Sequence, residues 1–476
     1  MKKNPFHVVL CFGLEKNGRL LIADEMGLGK SVQAIAIARF YRMEWPLVIV
    51  CPSSVKSAWR TQFNRFLPGI QRILMLAKEK DPLPHERTSN TVIIMSYDLM
   101  AKRRKELVDA EYRVFIFDES HYLKDLKAQR TKAATELAKR AAHVILLSGT
   151  PALSRPAELF TQIRIIDSTI FPNFKEFGVR YCDGMDSKYG FQAKGATNSE
   201  ELSAIMHKRF MIRRLKADVL KDLPEKFREL MYLSSDEIET GMRAYSDASK
   251  AFAAANYKEF NPNDQGVLEY YTQTGNVKAG PVCKYIINNF FYDGAQERKV
   301  LVFAHHQIVL DTICMELSNA GIKHIRIDGQ TPSEKRGSLC DQFQEDPVVR
   351  VAVLSITAAG QGITLTAASV VIFAEIYWIP GIMLQAEDRA HRVGQNDSVY
   401  VQYMLARGTA DDIIWPMVQD KLKVLGMVNL NSENFSNANH KHLDHGDGAA
   451  VEEDNDEEKG GGRDAEWGVA SKKRRK

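Results

Sequence analysis

Short apolar, β-branched runs recur in two series along this chain, and within each series polar, helix-compatible stretches separate them. The first series is Leu20–Ala23, Leu47–Cys51, Val92–Met95, Val114–Phe117 and Val144–Leu147. The second is Val300–Ala304, His324–Ile327, Val351–Leu354, Val370–Phe373 and Val399–Leu405. Strands that are apolar on both faces and alternate with helices belong to parallel sheets covered on both sides. An α/β protein with two tandem parallel-sheet lobes is therefore expected. Between the series the pattern breaks after Phe160 and turns aromatic and irregular, and little strand signal remains between Glu200 and Gly275. The expected division is a first lobe over 1–215, a helical insertion and linker over 216–280, and a second lobe over 281–428. The tail, 429–476, is rich in Asn, His, Asp, Glu and Gly before its basic end Lys472–Lys476; it is too polar to bury a core and is expected to be disordered.

The 476 residues have room for two or three domains. A net charge of +4 permits a nucleic-acid partner without demanding one, because a local basic groove can bind phosphates while acidic faces balance the total. The six cysteines form no CxxC pair, so neither a zinc module nor a disulfide framework is implied and a reducing compartment is the simplest expectation. No apolar run approaches the roughly 20 residues that span a bilayer, and Met1 to His7 lacks the apolar stretch of a secretory signal. An intracellular protein with no membrane partner is expected.

Two motifs carry chemistry. Asp24-Glu25-Met26-Gly27-Leu28-Gly29-Lys30-Ser31 follows an apolar strand and precedes a helix-like stretch, the setting in which a glycine-rich loop cradles phosphates on backbone N–H groups. Lys30 would reach the β and γ phosphates and Ser31 would place its hydroxyl on magnesium, with Gly27 and Gly29 permitting close approach. Asp118-Glu119-Ser120-His121 comes directly after Val114–Phe117, so both carboxylates project from a strand end, where ligands meet an open α/β sheet. Asp118 suits the magnesium ion and Glu119 the base that polarises an attacking water. Either motif alone also describes an ordinary turn; their pairing favours nucleoside triphosphate hydrolysis.

With these residues the chain resembles the helicase superfamily that carries an Asp-Glu-x-His box, and within it the Swi/Snf-type DNA translocases. Cys51-Pro52-Ser53-Ser54 with Trp59, Ser148-Gly149-Thr150-Pro151 and Met211-Ile212-Arg213-Arg214 resemble further motifs of that family's first lobe. Val302-Phe303-Ala304-His305-His306, Ile327-Asp328-Gly329, Ser355 through Thr364, Trp378 with Pro380, and the string Gln385 to Gln395 resemble those of its second lobe. The wording of the second lobe is closest to the annealing-helicase subgroup that remodels stalled replication forks. The resemblance implies two tandem RecA-like lobes, ATP and Mg2+ as cofactors, and nucleotide contacts from Asp24, Gly27, Gly29, Lys30, Ser31, Gly360 and Gly362. It also implies that Arg389 and Arg392 reach across the cleft to the γ-phosphate as arginine fingers. The subgroup's upstream segment with an adenine-reading glutamine resembles Pro5 to Phe12 here, without the glutamine.

Ser53, Ser54, Lys56, His305 and Thr364 are the candidate nucleic-acid contacts, suited to phosphates and carrying no base sequence. The run Lys102-Arg103-Arg104-Lys105 reads either as a duplex contact or as a solvated helix face. Arg213, Arg214 and Lys216, where the lobes join, either touch the backbone of a nucleic acid or pair with acids. His440, His442 and His445 read as metal ligands or as a polar tract. The partners implied are double-stranded or branched DNA and replication or repair proteins in the nucleus. The leading expectation is an ATP-dependent double-stranded DNA translocase that remodels or anneals branched DNA. A strand-separating DNA or RNA helicase and an ATPase-dead DNA-binding scaffold are the alternatives.

Overall fold

The structure is a computed structural model that describes residues 5–84, 90–188, 190–243, 264–292, 297–359, 363–427, 435, 438–443 and 450–452. All five apolar runs of the first series become strands of one sheet: β1 (Arg19–Ile22), β2 (Leu47–Cys51), β4 (Thr91–Ser96), β5 (Val114–Asp118) and β6 (His143–Leu147). They are joined by β3 (Arg72–Met75) and β7 (Met211–Ile212). The order is β3-β4-β2-β5-β6-β1-β7 and every pairing is parallel.

Side chains alternate between the sheet's faces with the period of two that a strand imposes. Val48, Val50, Phe115, Phe117, Val144 and Leu146 enter one core, while Leu47, Ile49, Val114, Ile116, Ile145 and Leu147 enter the other. The helices Lys30–Phe40 and Lys56–Phe66 cover the second face through Ile35, Ile37, Trp59 and Phe63. Both faces are sealed, so the loops at the carboxyl ends of the strands are left to meet a ligand.

A second sheet holds β8 (Lys226–Tyr232), β9 (Lys299–Ala304), β10 (His324–Ile327), β11 (Val351–Ser355), β12 (Ala368–Phe373), β13 (Val399–Leu405), β14 (Asn439–Leu443) and β15 (Ala450–Glu452). Its order is β10-β11-β9-β12-β13-β8-β14-β15, with only the last pair antiparallel. The fold is thus α/β with two tandem RecA-like lobes. The long helix Gln265–Phe290 packs Val267, Tyr271, Val282 and Ile286 into the core of the second lobe.

Strands β3, β7 and β8 depart from the sequence reading, each for a physical reason, as do a separate hairpin of Met185–Ser187 with Gly190–Gln192 and the tail strands β14 and β15. β3 is an edge strand whose two end residues are exposed, and β7 has only two residues. β8 lies where little strand signal was expected because it alternates charge with apolar bulk. Its Lys226 and Arg228 bond to Glu387, and its Glu229 accepts from Gln402 Nε2 at 2.7 Å and from Lys441 Nζ at 2.9 Å. Those partners neutralise a strand that looks too polar to bury.

The tail read as disordered lies mostly outside the described residues, as do His445 and Lys472–Lys476. Within it, β14 pairs with β8 through Asn439 to His442, and Phe435 is buried against Trp415, with ring centroids 5.0 Å apart. His440 and His442 stack on Tyr232. Among the described residues no helix is long and apolar enough to cross a membrane.

The lobes meet along the helix Pro380–Glu387. Gly381 N–H donates to the Leu153 carbonyl at 3.1 Å, and Gln385 Nε2 donates to Thr150 Oγ1 at 2.7 Å. A Cβ on Gly381 would stand 2.9 Å from Leu153 Cα and 3.2 Å from its carbonyl oxygen, backbone atoms that cannot swing aside. Gly381→Ala should therefore penalise the lobe contact by roughly 1–3 kcal/mol, the usual cost of overpacking. Single-molecule energy transfer between labels on the two lobes checks this; a population shifted toward larger separations is expected, and an unaltered distribution would show the contact to be incidental.

Candidate functional site

The phosphate loop leaves β1 and enters the helix Lys30–Phe40 through two left-handed glycines, Gly27 at φ 87° and Gly29 at φ 77°. Side chains are strained in that region, so glycine is the residue that can turn here. The turn aims the free N–H groups of the helix's first residues into the loop. Ser31 is half-buried in that first turn. Lys30 Nζ donates to the carbonyls of Asp24 (2.8 Å) and Glu25 (3.1 Å). Burial lowers the pKa of Lys30 against the opposing pull of Glu119, Asp24 and Asp118. The buried carboxylate of Asp24 is turned to Arg214, whose Nε lies 3.1 Å from Oδ2.

β5 delivers the carboxylates. Asp118 ends the strand, accepting from Trp59 Nε1 at 2.7 Å and from the Glu119 N–H at 3.0 Å. Burial and the neighbouring Glu119 push Asp118 up to about 6. Glu119 sits in the left-handed region at φ 50°, which turns its side chain out of the strand direction. Burial works to raise its pKa, but His121, Lys30 and Arg389 prevail and hold it below the usual carboxylate range. Glu119 is thus an anion in a desolvated cleft, the state a base needs.

From Glu119 a chain of polar contacts runs to the other lobe. Glu119 Oε2 lies 3.3 Å from His121 Nδ1, which lies 3.3 Å from Ser148 Oγ. Ser148 Oγ accepts from the Thr150 N–H at 3.2 Å, and Thr150 Oγ1 accepts from Gln385. The sequence reading quoted Ser148, Thr150 and Gln385 within motifs without giving Gln385 a role. No local pattern reveals a bond spanning 235 positions.

Arg389 and Arg392 lie on the loop after Gln385. Arg389 is buried, and its Nε hydrogen-bonds to no group among the described residues. Burial and the adjacent Arg392 lower Arg389 to about 10, with Glu119 across the cleft opposing them. Arg392 Nη1 donates to Thr364 Oγ1 at 2.9 Å, and its Cβ would be 3.4 Å from a Cβ placed on Gly27. Arg389 thus lies within electrostatic range of Glu119, and Arg392 stands over the phosphate loop. Lys30, Ser31, Asp118, Glu119, Arg389 and Arg392 are brought to one cleft; Gly360 and Gly362 lie outside the described residues.

The candidate nucleic-acid contacts are more dispersed. Ser53 is exposed on the turn after β2, Ser54 Oγ is buried without a hydrogen-bond partner among the described residues, and Lys56 Nζ donates to the Leu76 carbonyl at 3.1 Å. His305, at the end of β9, packs among Tyr271, Tyr377 and Trp378. The N–H groups of His305 and His306 both donate to the buried Glu375, at 2.7 and 2.9 Å. Thr364 is engaged by Arg392. In the run Lys102 to Lys105, Lys102 pairs with Glu79, Arg103 with Glu106 and Arg104 with Glu136. Arg213 Nη1 donates to the Ala23 carbonyl at 2.8 Å, while Arg214 and Lys216 pair with acids.

Residues 8–278 match the SNF2-related domain family, and residues 281–394 match the helicase conserved C-terminal domain. Over 441 residues the chain is 60% identical to a Caenorhabditis elegans protein named SWI/SNF-related matrix-associated actin-dependent regulator of chromatin subfamily A-like protein 1 homolog; the match covers 92% of this chain and 63% of that protein. It is 45% identical to the Xenopus laevis protein of the same subfamily, over 89% of this chain and 44% of that one. A Homo sapiens DNA annealing helicase and endonuclease is 39% identical, over 88% of this chain and 39% of that protein. The chain spans less than two thirds of the length of each of these relatives.

Proposed function

The chain belongs to the SNF2-related family, and on that footing we propose that it is a DNA-dependent ATPase that turns lobe closure around ATP into movement along double-stranded DNA. The observation that carries this reading is the arginine-bearing loop of the second lobe lying over the cleft of the first: Arg392 Cβ would stand 3.4 Å from a Cβ on Gly27, and Gln385 Nε2 bonds to Thr150 Oγ1 at 2.7 Å. Base and positive charge then come together only when the lobes do, which couples hydrolysis to lobe movement.

In this reading 1–215 forms the ATP-binding lobe and 281–428 the body of the second lobe, to which the segment 216–280, expected as a connection, adds β8 and the start of the helix Gln265–Phe290. Lys30 and the first-turn amides hold the β and γ phosphates. The donors fit a magnesium ion, which Ser31 and Asp118 would hold and which would neutralise phosphate charge. Glu119 accepts a proton from the attacking water as that oxygen bonds to the γ-phosphorus and the bond to the β–γ bridging oxygen breaks. Arg389 and Arg392 offset the negative charge that develops on the transferred group. Asp24 acts indirectly, fixing the loop through Arg214. Gly360 and Gly362 are assigned to the nucleotide by family resemblance, as are Ser53, Ser54, Lys56, His305 and Thr364 to the DNA backbone. The finer reading is remodelling or annealing of branched DNA such as stalled replication forks, in the nucleus, with replication or repair proteins as partners; the annealing part is supported by the relative named a DNA annealing helicase and endonuclease.

Steady-state ATP hydrolysis tests this, measured with no polymer and with duplex DNA, forked DNA, single-stranded DNA or RNA, using Glu119→Gln as the control. Stimulation by duplex or forked DNA that the variant abolishes is expected. Stimulation by single-stranded RNA alone, with unwinding of a labelled duplex, would replace the translocase reading by a strand-separating helicase. Hydrolysis that no polymer stimulates would sink the DNA motor.

A further inference from the structure

Lys216 opens the short helix Lys216–Val219 and is only 7% exposed. Three bonds surround it, and they join two parts of the cleft. Its backbone N–H donates to Glu25 Oε2 in the phosphate loop at 2.5 Å. Its ammonium group donates to the His391 carbonyl at 2.6 Å and pairs with Asp388 Oδ1 at 2.8 Å. Asp388 and His391 flank Arg389 on either side, and Arg392 follows directly.

That arginine-bearing loop lies beyond the end of its helix at Glu387; local turns carry the backbone on, with Arg389 N–H donating to the Ala386 carbonyl at 3.1 Å and His391 N–H to the Glu387 carbonyl at 3.2 Å, but these bonds hold the loop to its own helix and not to the phosphate loop. Its other fixed points include His391 Nε2 against the Pro224 carbonyl at 2.7 Å and the Arg389 carbonyl accepting from Leu365 N–H at 3.0 Å. Lys226 stands 3.8 Å from Asp388, too far for a hydrogen bond, while it and Arg228 are bonded to Glu387. Lys216 is therefore a cation bonded at two points inside the loop itself. A buried lysine is a weak stabiliser, because the desolvation it suffers offsets much of its ion pairing. Its distinctive contribution is geometric: one ammonium fixes two points of the loop while its own backbone is fixed to the phosphate loop.

We infer that Lys216 is a positioning residue that ties the phosphate loop to the arginine loop, so that Arg389 and Arg392 are set in register with the phosphates. The inference deepens the ATPase reading and rests on it for its kinetic consequence. The structural link itself is independent of that reading.

The test uses the full chain with Lys216→Met and Lys216→Arg. Methionine keeps the stem and removes the charge; arginine restores two donors. Amide hydrogen exchange without nucleotide should quicken across 388–395 in the methionine variant and stay native in the central strands of both sheets. With duplex DNA, kcat should fall roughly 10- to 100-fold, as displacement of catalytic groups by about 1 Å does, while KM for ATP stays within about twofold. Lys216→Arg should recover most of the rate and the protection. Native exchange in that loop of the methionine variant overturns the inference; so does a raised KM with unchanged kcat, or an arginine variant as impaired as the methionine one. If the unsubstituted chain hydrolyses no ATP, the ATPase reading fails and the exchange measurement still decides whether Lys216 holds the loop.

Discussion

Glu119→Gln is expected to lower DNA-stimulated ATP hydrolysis by roughly 10²- to 10⁴-fold, the range associated with losing a general base, while leaving ATP binding intact. The amide has the size of the carboxylate and tolerates the same left-handed backbone, so the loop after β5 should keep its course. What is lost is the anion that accepts the water's proton. Its pKa lies below the usual carboxylate range, so the base is already ionised at neutral pH and no protonated fraction limits the native enzyme. Removing its charge from beside Lys30 and Asp118 also removes repulsion toward the γ-phosphate, so binding of ATP should tighten rather than weaken. Stopped-flow phosphate release combined with binding of a fluorescent ATP analogue checks both halves. A variant that keeps more than about a tenth of the native rate would fall short of the loss expected for a base and would move that role elsewhere.

The chemistry of the cleft was legible in the sequence because each half of it sits at the end of an apolar strand and is written as a contiguous string. Asp118 ends β5 and Glu119 follows it, Lys30 follows β1, and the ten apolar runs appear as strands. What could not be read are features whose cause lies far along the chain. β8 looks too charged to bury until Glu387, some 160 positions on, is seen against Lys226 and Arg228. Lys216 was one of three cations at a junction, with contacts left open between nucleic acid and acids; its partners lie 191 and 175 residues away. The basic run Lys102 to Lys105 is the opposite lesson. Its first three members pair with Glu79, Glu106 and Glu136, Glu106 only three residues along, so charge clustered in the sequence is answered by acids in the fold. Phe435 belongs to a stretch whose composition argues against any core, yet one aromatic ring finds Trp415 and Tyr403. Local composition does not report such a contact.

Arg389→Ala should have the larger effect of the two, a loss of roughly 10³- to 10⁵-fold in kcat if the side chain acts as an arginine finger. The structure supplies the physical basis. The guanidinium is buried, and although burial lowers its pKa to about 10, it remains cationic at neutral pH. Its Nε has no hydrogen-bond partner among the described residues, so a donor stands ready in a desolvated cleft, where charge acts more strongly than in water. Arg389 gives Nη1 to the Ile363 carbonyl at a long 3.3 Å, whereas Arg392 is less buried and gives Nη1 to Thr364 Oγ1 at 2.9 Å; Arg392→Ala should cost less. Lysine should not rescue position 389. Desolvation and the neighbouring Arg392 would depress an ammonium from a lower starting pKa, and a lysine lacks the planar fork that spans two phosphate oxygens. The decisive measurement pairs Arg389→Ala with Glu119→Gln in a double-mutant cycle. If the two groups act on one transition state, reached only with the lobes together, the double variant should be little worse than the worse single one, as groups that work as a unit behave. Losses that multiply would mean that the arginine acts in a separate step, and the coupling of hydrolysis to lobe closure would have to reside in the Thr150–Gln385 contact instead.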